Sequence, residues 1–266
     1  MHNADETGLL LALAEHSRLG IERQIDYAKY ALYSLIAHST ALEGSTMTER
    51  EVALLLDEGL TASGRSFAEH LMNSDLRNAY GKGMDIAKQH TDLSVPLLKS
   101  LSAAVMKNTG AAYRTPLGDF DASEGDLRLV NVTAGPGGRS FMTYAKVPAA
   151  LERLCADLNA KRQAICAEAD TLVAYRLSFE AHIRLVNIHP WVDGNGRMAR
   201  LLMNILQCEA GLLPVCVTNE SKVAYLQALA DADAQADPAP FYAFMFGLHL
   251  RNVRAEIATY KSTTAK

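Results

Sequence analysis

Hydrophobic residues recur at intervals of three and four positions along most of the chain, and runs of β-branched residues are scarce. This spacing places apolar side chains on one face of an α-helix. The pattern predicts one helix over Ile21–His38, followed by a break of small and polar residues from Ser39 to Met47. The tetrapeptide Thr48-Glu49-Arg50-Glu51 has the form of a capping box, so the next helix is expected to begin there. Helical periodicity continues, with interruptions, to about Lys107.

Residues 109–146 depart from this pattern because they are rich in Gly, Pro, Asp and Ser. Within them, Leu129 to Thr133 alternates apolar and polar residues, Ala134 to Gly138 is a turn cluster, and Ser140 to Tyr144 returns as a second strand. These signals predict a β-hairpin. Helical periodicity resumes at Pro148, which suits the first turn of a helix, and runs through Leu158.

The remaining sequence predicts a helix from about Ala160 to Val186 and further helices after it. The fold class expected from the pattern is therefore all-α with one small hairpin. We expect an amino-terminal helical region over residues 1–95, a core over 96–260 and a tail over 261–266 that frays after Tyr260, with the first two regions forming one compact unit.

Composition excludes several classes of protein. The 266 residues are 49% hydrophobic and 21% charged, which is typical of a globular chain, and a net charge of −4 gives no bulk attraction to nucleic acid. The apolar runs Leu9–Ala14 and Phe241–Leu250 are too short to span a membrane. Acidic residues stand near the amino terminus where a signal peptide would carry Lys or Arg. Four widely spaced cysteines predict reduced core thiols and a cytoplasmic location: Cys155, Cys166, Cys208 and Cys216.

One segment is suited to chemistry, with the sequence His189-Pro190-Trp191-Val192-Asp193-Gly194-Asn195-Gly196-Arg197-Met198-Ala199-Arg200. Helical patterns flank it on both sides, the second ending at Gly211. The two glycines therefore lie at the amino end of a helix, where free N–H groups and the positive dipole end attract phosphate. Arg197 and Arg200, three residues apart, leave that helix on nearly one side and add positive charge.

Three other side chains of the segment complete a candidate site. Asp193 offers a hard oxygen ligand for Mg²⁺. His189 is an imidazole that can take a proton from an incoming hydroxyl. Asn195 either bonds a phosphate oxygen or orients the loop.

The segment resembles the Fic family signature, His-x-Phe-x-Asp/Glu-Gly-Asn-Gly-Arg-x-x-Arg, with Trp191 where Phe is usual. We expect this large aromatic side chain to anchor the loop in the core. The resemblance extends from about Tyr27 to Phe246, and it includes Gly211–Pro214 and Pro240–Phe244. It implies a Fic-type helical bundle with a small β-hairpin flap, in which residues 96–260 are the Fic core.

The resemblance also implies a protein adenylyltransferase that uses ATP and Mg²⁺. Such an enzyme moves AMP to a Ser, Thr or Tyr hydroxyl of a target protein, which can be a copy of itself, and a homo-oligomer is left open. By position, His189 is the general base and Asp193 holds Mg²⁺. The phosphate-binding positions comprise Gly194, Asn195, Gly196 and Arg197 around the α- and β-phosphates and Arg200 on the γ-phosphate.

A second match, Ser39 to Gly44, resembles the family's inhibitory motif, Ser/Thr-x-x-x-Glu-Gly/Asn. Glu43 would pair with Arg200 and deny it the γ-phosphate. Alternatively, Glu43 would position water for the reverse reaction, removal of AMP from a modified target. A helix C-cap by Gly44 is the purely structural interpretation.

Two further assignments follow from the resemblance. The hairpin over Leu129 to Tyr144 stands where the family carries a flap that pairs with the target backbone, although a plain surface hairpin fits too. Tyr225 stands near the expected adenine position, or it is a core tyrosine. The other functions considered are transfer of a different nucleotide or phosphate-containing group, and a catalytically idle nucleotide-binding regulator. No nucleic acid or membrane partner is expected.

Overall fold

The computed structural model describes residues 4–134, 138–168 and 170–264, with the side chains of residues 164–168 left out. Within these ranges the chain is mostly helical, so the predicted all-α class with a small hairpin is confirmed. The helices are α1 Ala4–Leu19, α2 Tyr27–Ala41, α3 Glu49–Glu58, α4 Phe67–Lys88, α5 Val95–Met106, α6 Val147–Glu168, α7 Thr171–Ile188, α8 Asn195–Glu209, α9 Lys222–Ala234 and α10 Ala239–Thr264.

Helix α2 differs from the prediction at both ends. It begins at Tyr27 rather than Ile21, because Asp26 has a φ of 62° and separates it from a short 3₁₀ turn. It also extends three residues into the predicted break and ends at Ala41. Thr40 sustains the last turn, since its hydroxyl lies 3.1 Å from the carbonyl oxygens of both Ile36 and Ala37. The predicted start of α3 at the Thr48 capping box is confirmed.

The two-stranded hairpin found among the described residues lies earlier in the chain than predicted. Strands β1 Ala112–Thr115 and β2 Gly118–Asp121 pair antiparallel, with Tyr113 opposite Phe120. In the expected strands over 129–144, the described residues form a single antiparallel bridge between Thr133 and Ser140. The central turn residues 135–137 lie outside the described part of the chain. We refer to residues 129–144 as the flap.

Two helix boundaries in the second half also differ from expectation. Helix α6 has Pro148 in its first turn, as predicted, but runs past Leu158 to Glu168 without the expected break. The break comes before α7, where Asp170 Oδ1 accepts hydrogen bonds from the N–H groups of Leu172 and Val173. Helix α10 continues through Thr264, so residues 261–264 are helical rather than frayed.

Helices α7 and α8 form the central pair that carries the candidate site. The helix α8 is buried along almost its whole length and packs against α4, α5 and α7. A second layer, formed by α1, α9 and α10, covers the other side of α7. Within the described ranges, no helix is long and apolar enough to cross a membrane. The three cysteines whose side chains are described, Cys155, Cys208 and Cys216, are free thiols.

Candidate active site

The His189–Arg200 segment forms the connection between α7 and α8, as the sequence predicts. Helix α7 ends at Ile188, and His189 follows it with a φ of 50° and a ψ of 63°. This left-handed conformation is uncommon for a residue other than glycine. The backbone N–H of His189 donates to the carbonyl of Leu185 at 2.9 Å, which holds the imidazole at the end of the helix. Strained backbone of this kind is concentrated at functional sites.

Trp191 and Asn195 fix the shape of the loop. Trp191 is buried, as predicted, and its indole N–H donates to the carbonyl of Gly125 at 3.1 Å. The side chain of Asn195 accepts from the Trp191 N–H at 3.1 Å and donates to the Trp191 carbonyl at 2.9 Å. Of the two roles considered for the Asn195 side chain, the structure therefore displays the loop-orienting one. Its backbone N–H remains at the start of α8.

The amino end of α8 is shaped to admit an anion. Gly194, with a φ of 80°, turns the chain into the helix. A Cβ added at Gly196 would collide with Oε1 of Glu43 and lie 3.0 Å from Nη1 of Arg200. Glycine at this position thus lets a carboxylate approach the helix terminus closely. The carboxylate of Glu43 occupies the place where the terminus attracts negative charge.

Arg197 is buried without a full set of partners. The residue is only 2% exposed, and its Nη2 lies 3.5 Å from Oδ2 of Asp193 and 3.2 Å from Sδ of Met106. In the described part of the chain, its Nε and Nη1 have no hydrogen-bond partner. Unsatisfied donors are costly in a buried guanidinium, and burial lowers the pKa of Arg197. The arrangement suits a side chain whose partner is an anionic ligand.

Asp193 stands at the mouth of the site. Its side chain is 62% exposed, and Oδ1 accepts a hydrogen bond from the Gly194 N–H at 2.6 Å. Among the described residues there is no group of three His, Cys, Asp or Glu side chains that could enclose a metal ion. Mg²⁺ is commonly held by one or two carboxylates together with phosphate oxygens and water, so a single exposed carboxylate beside a phosphate site fits this ion.

Arg200 joins the signature helix to the Ser39–Gly44 segment. The residue is only 4% exposed. Its Nε donates to Ser39 Oγ at 2.8 Å, and its Nη2 donates to the Ser39 carbonyl at 2.9 Å and to Glu43 Oε1 at 2.6 Å. Burial opposes ionisation of Glu43, but the charge and hydrogen bond of Arg200 outweigh it and lower the pKa of this carboxyl. Glu43 is therefore ionised and held at the amino end of α8, in the candidate phosphate site.

His189 is neutral at physiological pH. Burial lowers the pKa of its imidazole from 6.5 to about 4. Nδ1 lies 3.4 Å from the Val186 carbonyl, which assigns the proton to Nδ1 and leaves Nε2 with its lone pair. The ring can therefore accept a proton through Nε2.

Two residues of this region were not identified from the sequence. Arg128 is buried and donates to the carbonyls of His189 at 2.7 Å, Val130 at 2.7 Å and Met142. It thereby connects both sides of the flap to the signature loop. Phe141, on the flap, stacks on the imidazole of His189. The only sequence signal for Arg128 was its position as a lone charge between Leu127 and Leu129.

Tyr225 lies in the interior. Of the two places considered for it, near the adenine or in the core, the structure shows the core one. It is 3% exposed, and its hydroxyl lies 2.9 Å from Nε2 of His182. Burial raises the pKa of this hydroxyl, and the positive charge of Arg200 opposes that rise. Tyr225 therefore lies near the candidate phosphate site, on its core side.

Two sequence comparisons relate this chain to one protein family. The Fic/DOC family model matches residues 92–207. Proteins named "Protein adenylyltransferase Fic" from Drosophila sechellia and Drosophila melanogaster are each 31% identical over 224 residues, which is 82% of this chain. The aligned part spans 40% of the length of those relatives.

Solved structures share the fold at lower sequence identity. Fic-1 (aa134–508) from C. elegans has a TM-score of 0.75 at 21% identity, covering 97% of this chain and 73% of that one. A Fic domain containing signaling protein from Bacteroides thetaiotaomicron VPI-5482 has a TM-score of 0.77 at 20% identity, covering 96% of this chain and 97% of its own. With the signature segment between α7 and α8 and these relatives, the chain belongs to the Fic/DOC family.

Proposed function

We propose that this chain transfers the adenylyl group of ATP to a hydroxyl side chain of a target protein, and that Glu43 restrains the reaction. The observation that carries the proposal is the buried guanidinium of Arg197, whose Nε and Nη1 find no partner among the described residues. It lies beside a helix terminus where the Glu43 carboxylate stands in for a phosphate oxygen. Free donors, helix amides and a buried cation together form a receptor for a phosphate chain.

The proposed reaction uses His189 as the general base. Nε2 takes the proton of the target hydroxyl while the hydroxyl oxygen attacks the α-phosphorus. A bond forms between these two atoms, and the bond from the α-phosphorus to the oxygen bridging to the β-phosphate breaks. Pyrophosphate leaves with the electron pair of the broken bond. Burial lowers the pKa of His189 to about 4, so at neutral pH the imidazole is in the unprotonated form that a general base requires.

We assign stabilisation of the negative charge on the leaving pyrophosphate to Asp193 and to the amino end of α8. Asp193 is the residue we propose to hold Mg²⁺, since its carboxylate is exposed beside Gly194. When bound, the ion supplies neutralisation of the negative charge on the phosphates. Gly194, Gly196 and the backbone of Asn195 position the α- and β-phosphates, and Arg197 donates to them from the core side.

The restraint operates on the γ-phosphate position. Arg200 would bind the γ-phosphate, but its Nη2 is engaged by Glu43 Oε1 at 2.6 Å. A buried arginine–carboxylate pair is directional, so it occludes a phosphate from the same donors. ATP that enters beside this pair is held in an unproductive pose.

The flap is the element we propose for target docking. Its described residues form the Thr133–Ser140 bridge and two main-chain hydrogen bonds, from Ala134 to Arg139 and from Phe141 to Val132. A strand pair of this kind can add an extended segment at its edge by main-chain hydrogen bonds. The acceptor is a Ser, Thr or Tyr side chain of a protein, and a second copy of this chain in a homo-oligomer is one such target.

Free thiols at Cys155, Cys208 and Cys216 support a reducing, cytoplasmic setting for the reaction.

The second candidate function is the reverse reaction. The ionised carboxylate of Glu43, held inside the phosphate-binding region by Arg200, is suited to orient a water molecule toward an AMP-modified side chain. In this alternative Glu43 is a required residue rather than a restraint.

The test is intact-mass analysis of the Glu43→Gly protein after incubation with Mg-ATP, with and without a cell lysate as a source of targets. We expect a mass increase corresponding to AMP, stronger than in the unsubstituted protein and absent from the Glu43→Gly, His189→Ala double variant. Parallel reactions with GTP and UTP define the transferred group. Removal of AMP from a modified target by the unsubstituted protein, lost in Glu43→Gly, would favour the reverse reaction. Nucleotide binding without any transfer would indicate an idle regulator.

A further inference from the structure

The buried guanidinium of Arg197 is held through one of its three nitrogens. Nη2 donates to Sδ of Met106 at 3.2 Å, whereas Nε and Nη1 have no partner among the described residues. The contact from Nη2 to Oδ2 of Asp193 is longer, at 3.5 Å, and that carboxylate is 62% exposed. Since Met106 is buried, its sulfur is the closer and the more secluded of these two acceptors.

The backbone of Met106 is anchored to a helix other than α8. Met106 is the last residue of α5, and its carbonyl accepts from the Gly110 N–H at 2.7 Å. In the turn that follows, the Asn108 backbone N–H donates to Asp75 at 2.8 Å and the Asn108 side chain donates to the same carboxylate at 2.6 Å. Asp75 belongs to α4 and is itself buried. The position of Met106 is therefore set by α4 and α5.

The side chain of Met106 packs directly on the turn that begins the phosphate site. A Cβ added at Gly194 would lie 2.7 Å from Sδ and 3.1 Å from Cγ of Met106. The absence of a side chain at Gly194 thus leaves the room in which the thioether reaches Arg197. Because the interior is tightly packed, the sulfur has little freedom to move relative to the guanidinium.

A thioether has a chemical property that suits this place. It is an uncharged and weak hydrogen-bond acceptor, so it engages one donor of the guanidinium without cancelling the positive charge. A carboxylate in the same place would bind two donors at once and neutralise the cation. With sulfur as the partner of Nη2, the charge of Arg197 and the donors at Nε and Nη1 stay available for an anion.

We propose that Met106 is a positioning residue that holds Arg197 through Nη2 and thereby keeps Nε and Nη1 available to the α- and β-phosphates of the nucleotide. The inference rests on the proposed function. Without the sulfur, Nη2 would turn toward another acceptor, since unmade hydrogen bonds of a buried charge are costly. Because the guanidinium is planar and rigid, turning one nitrogen also moves the other two.

The test is calorimetric titration with Mg-ADP, which carries both of these phosphates, in the Glu43→Gly background. Met106→Leu nearly conserves volume but has no acceptor, so the affinity should fall about five-fold, the loss expected for one hydrogen bond. Met106→Gln offers an amide oxygen at a similar reach and should retain the affinity within about two-fold. The matched control is Met203→Leu, which changes a fully buried methionine of α8 in the second layer and should leave the affinity unchanged.

A double-mutant cycle with Arg197 keeps the inference testable if Met106→Gln folds poorly. In an Arg197→Met background no guanidinium remains to be held, so Met106→Leu should cause no further loss of affinity. An unchanged affinity in folded Met106→Leu, an equal loss in folded Met106→Gln, or the same loss with and without Arg197 would overturn the inference and leave the proposed function intact. Failure of the Glu43→Gly protein to bind either Mg-ATP or Mg-ADP would overturn both.

Discussion

Phe141 lies flat on the imidazole of His189, with the two ring centroids 3.7 Å apart and the ring planes 17° from parallel. The guanidinium of Arg139 covers the Phe141 ring in turn, 5.1 Å from its centroid. Arg139 is held by Asp233 of α9 and by Asn187 of α7, the latter at 2.9 Å. The flap therefore shields one face of the His189 imidazole, the proposed general base. A proton reaches this ring at its edge.

Removing this shield should change the basicity of His189. Phe141→Ala admits water to the imidazole, so the pKa of His189 should rise from about 4 toward its ordinary value of 6.5. The measurement is an NMR titration of the imidazole signal between pH 3 and pH 8. Phe67→Ala, which removes an exposed phenyl ring, is the control and should leave the pKa of His189 unchanged. If His189 titrates identically in Phe141→Ala, the flap does not set its protonation.

The close approach at Gly196 predicts a second effect. In Gly196→Ala the added methyl group displaces the Glu43 carboxylate, but it also occupies the space that a phosphate needs at the start of α8. We expect no gain in AMP transfer, and in the Glu43→Gly background an affinity for ATP roughly ten-fold lower. Gly81→Ala, where an added Cβ meets nothing within 4 Å, is the control for a helical glycine. If Gly196→Ala leaves the affinity for ATP unchanged, the phosphates do not bind at the start of α8.

Buried neutral histidines predict how stability depends on pH. Burial lowers the pKa of His182 and His249 to about 3 and that of His189 to about 4, against 6.5 for an exposed imidazole. Their contribution is fully present above pH 6.5. It is lost as the pH falls from 6.5 to about 4 for His189 and to about 3 for His182 and His249, because over this range the unfolded chain binds protons that the folded protein does not. Each group adds a slope of up to about 1.4 kcal/mol per pH unit to the free energy of unfolding.

Urea denaturation at pH 7 and at pH 5 measures this dependence. The midpoint should be lower at pH 5, and His249→Gln should reduce the difference between the two midpoints by removing one of the three groups. Equal midpoints at the two pH values would contradict the assignment of neutral, buried rings.

The parts of the candidate site formed by residues close together in the sequence could be predicted. The glycines and arginines of the signature lie within seven residues, from Gly194 just before α8 to Arg200, so helix geometry alone groups them at one terminus. The contact between Glu43 and Arg200 spans 157 positions, and it was expected from the family motif rather than from any physical pattern. Trp191 was expected in the core because a large aromatic ring in such a loop has no other favourable place.

The missed features depend on tertiary contacts. The helix through Ser39 and Thr40 looked broken because small polar residues usually end helices, yet the Thr40 hydroxyl also bonds Asn73 at 2.9 Å in the packed protein. Strands β1 and β2 are short and largely exposed, so they have no hydrophobic alternation to reveal them. Phe141 and His189 are 48 positions apart, and only the folded chain brings their rings together.

Arg128 has one consequence for how this scaffold could be redirected. Among the described residues, its guanidinium donates to three main-chain carbonyls, those of His189, Val130 and Met142, and every residue type supplies such an oxygen. Flap side chains can therefore be exchanged while these three hydrogen bonds are retained. Libraries that vary the outward positions of the flap, with Arg128 kept, offer a route to new acceptors for the proposed transferase.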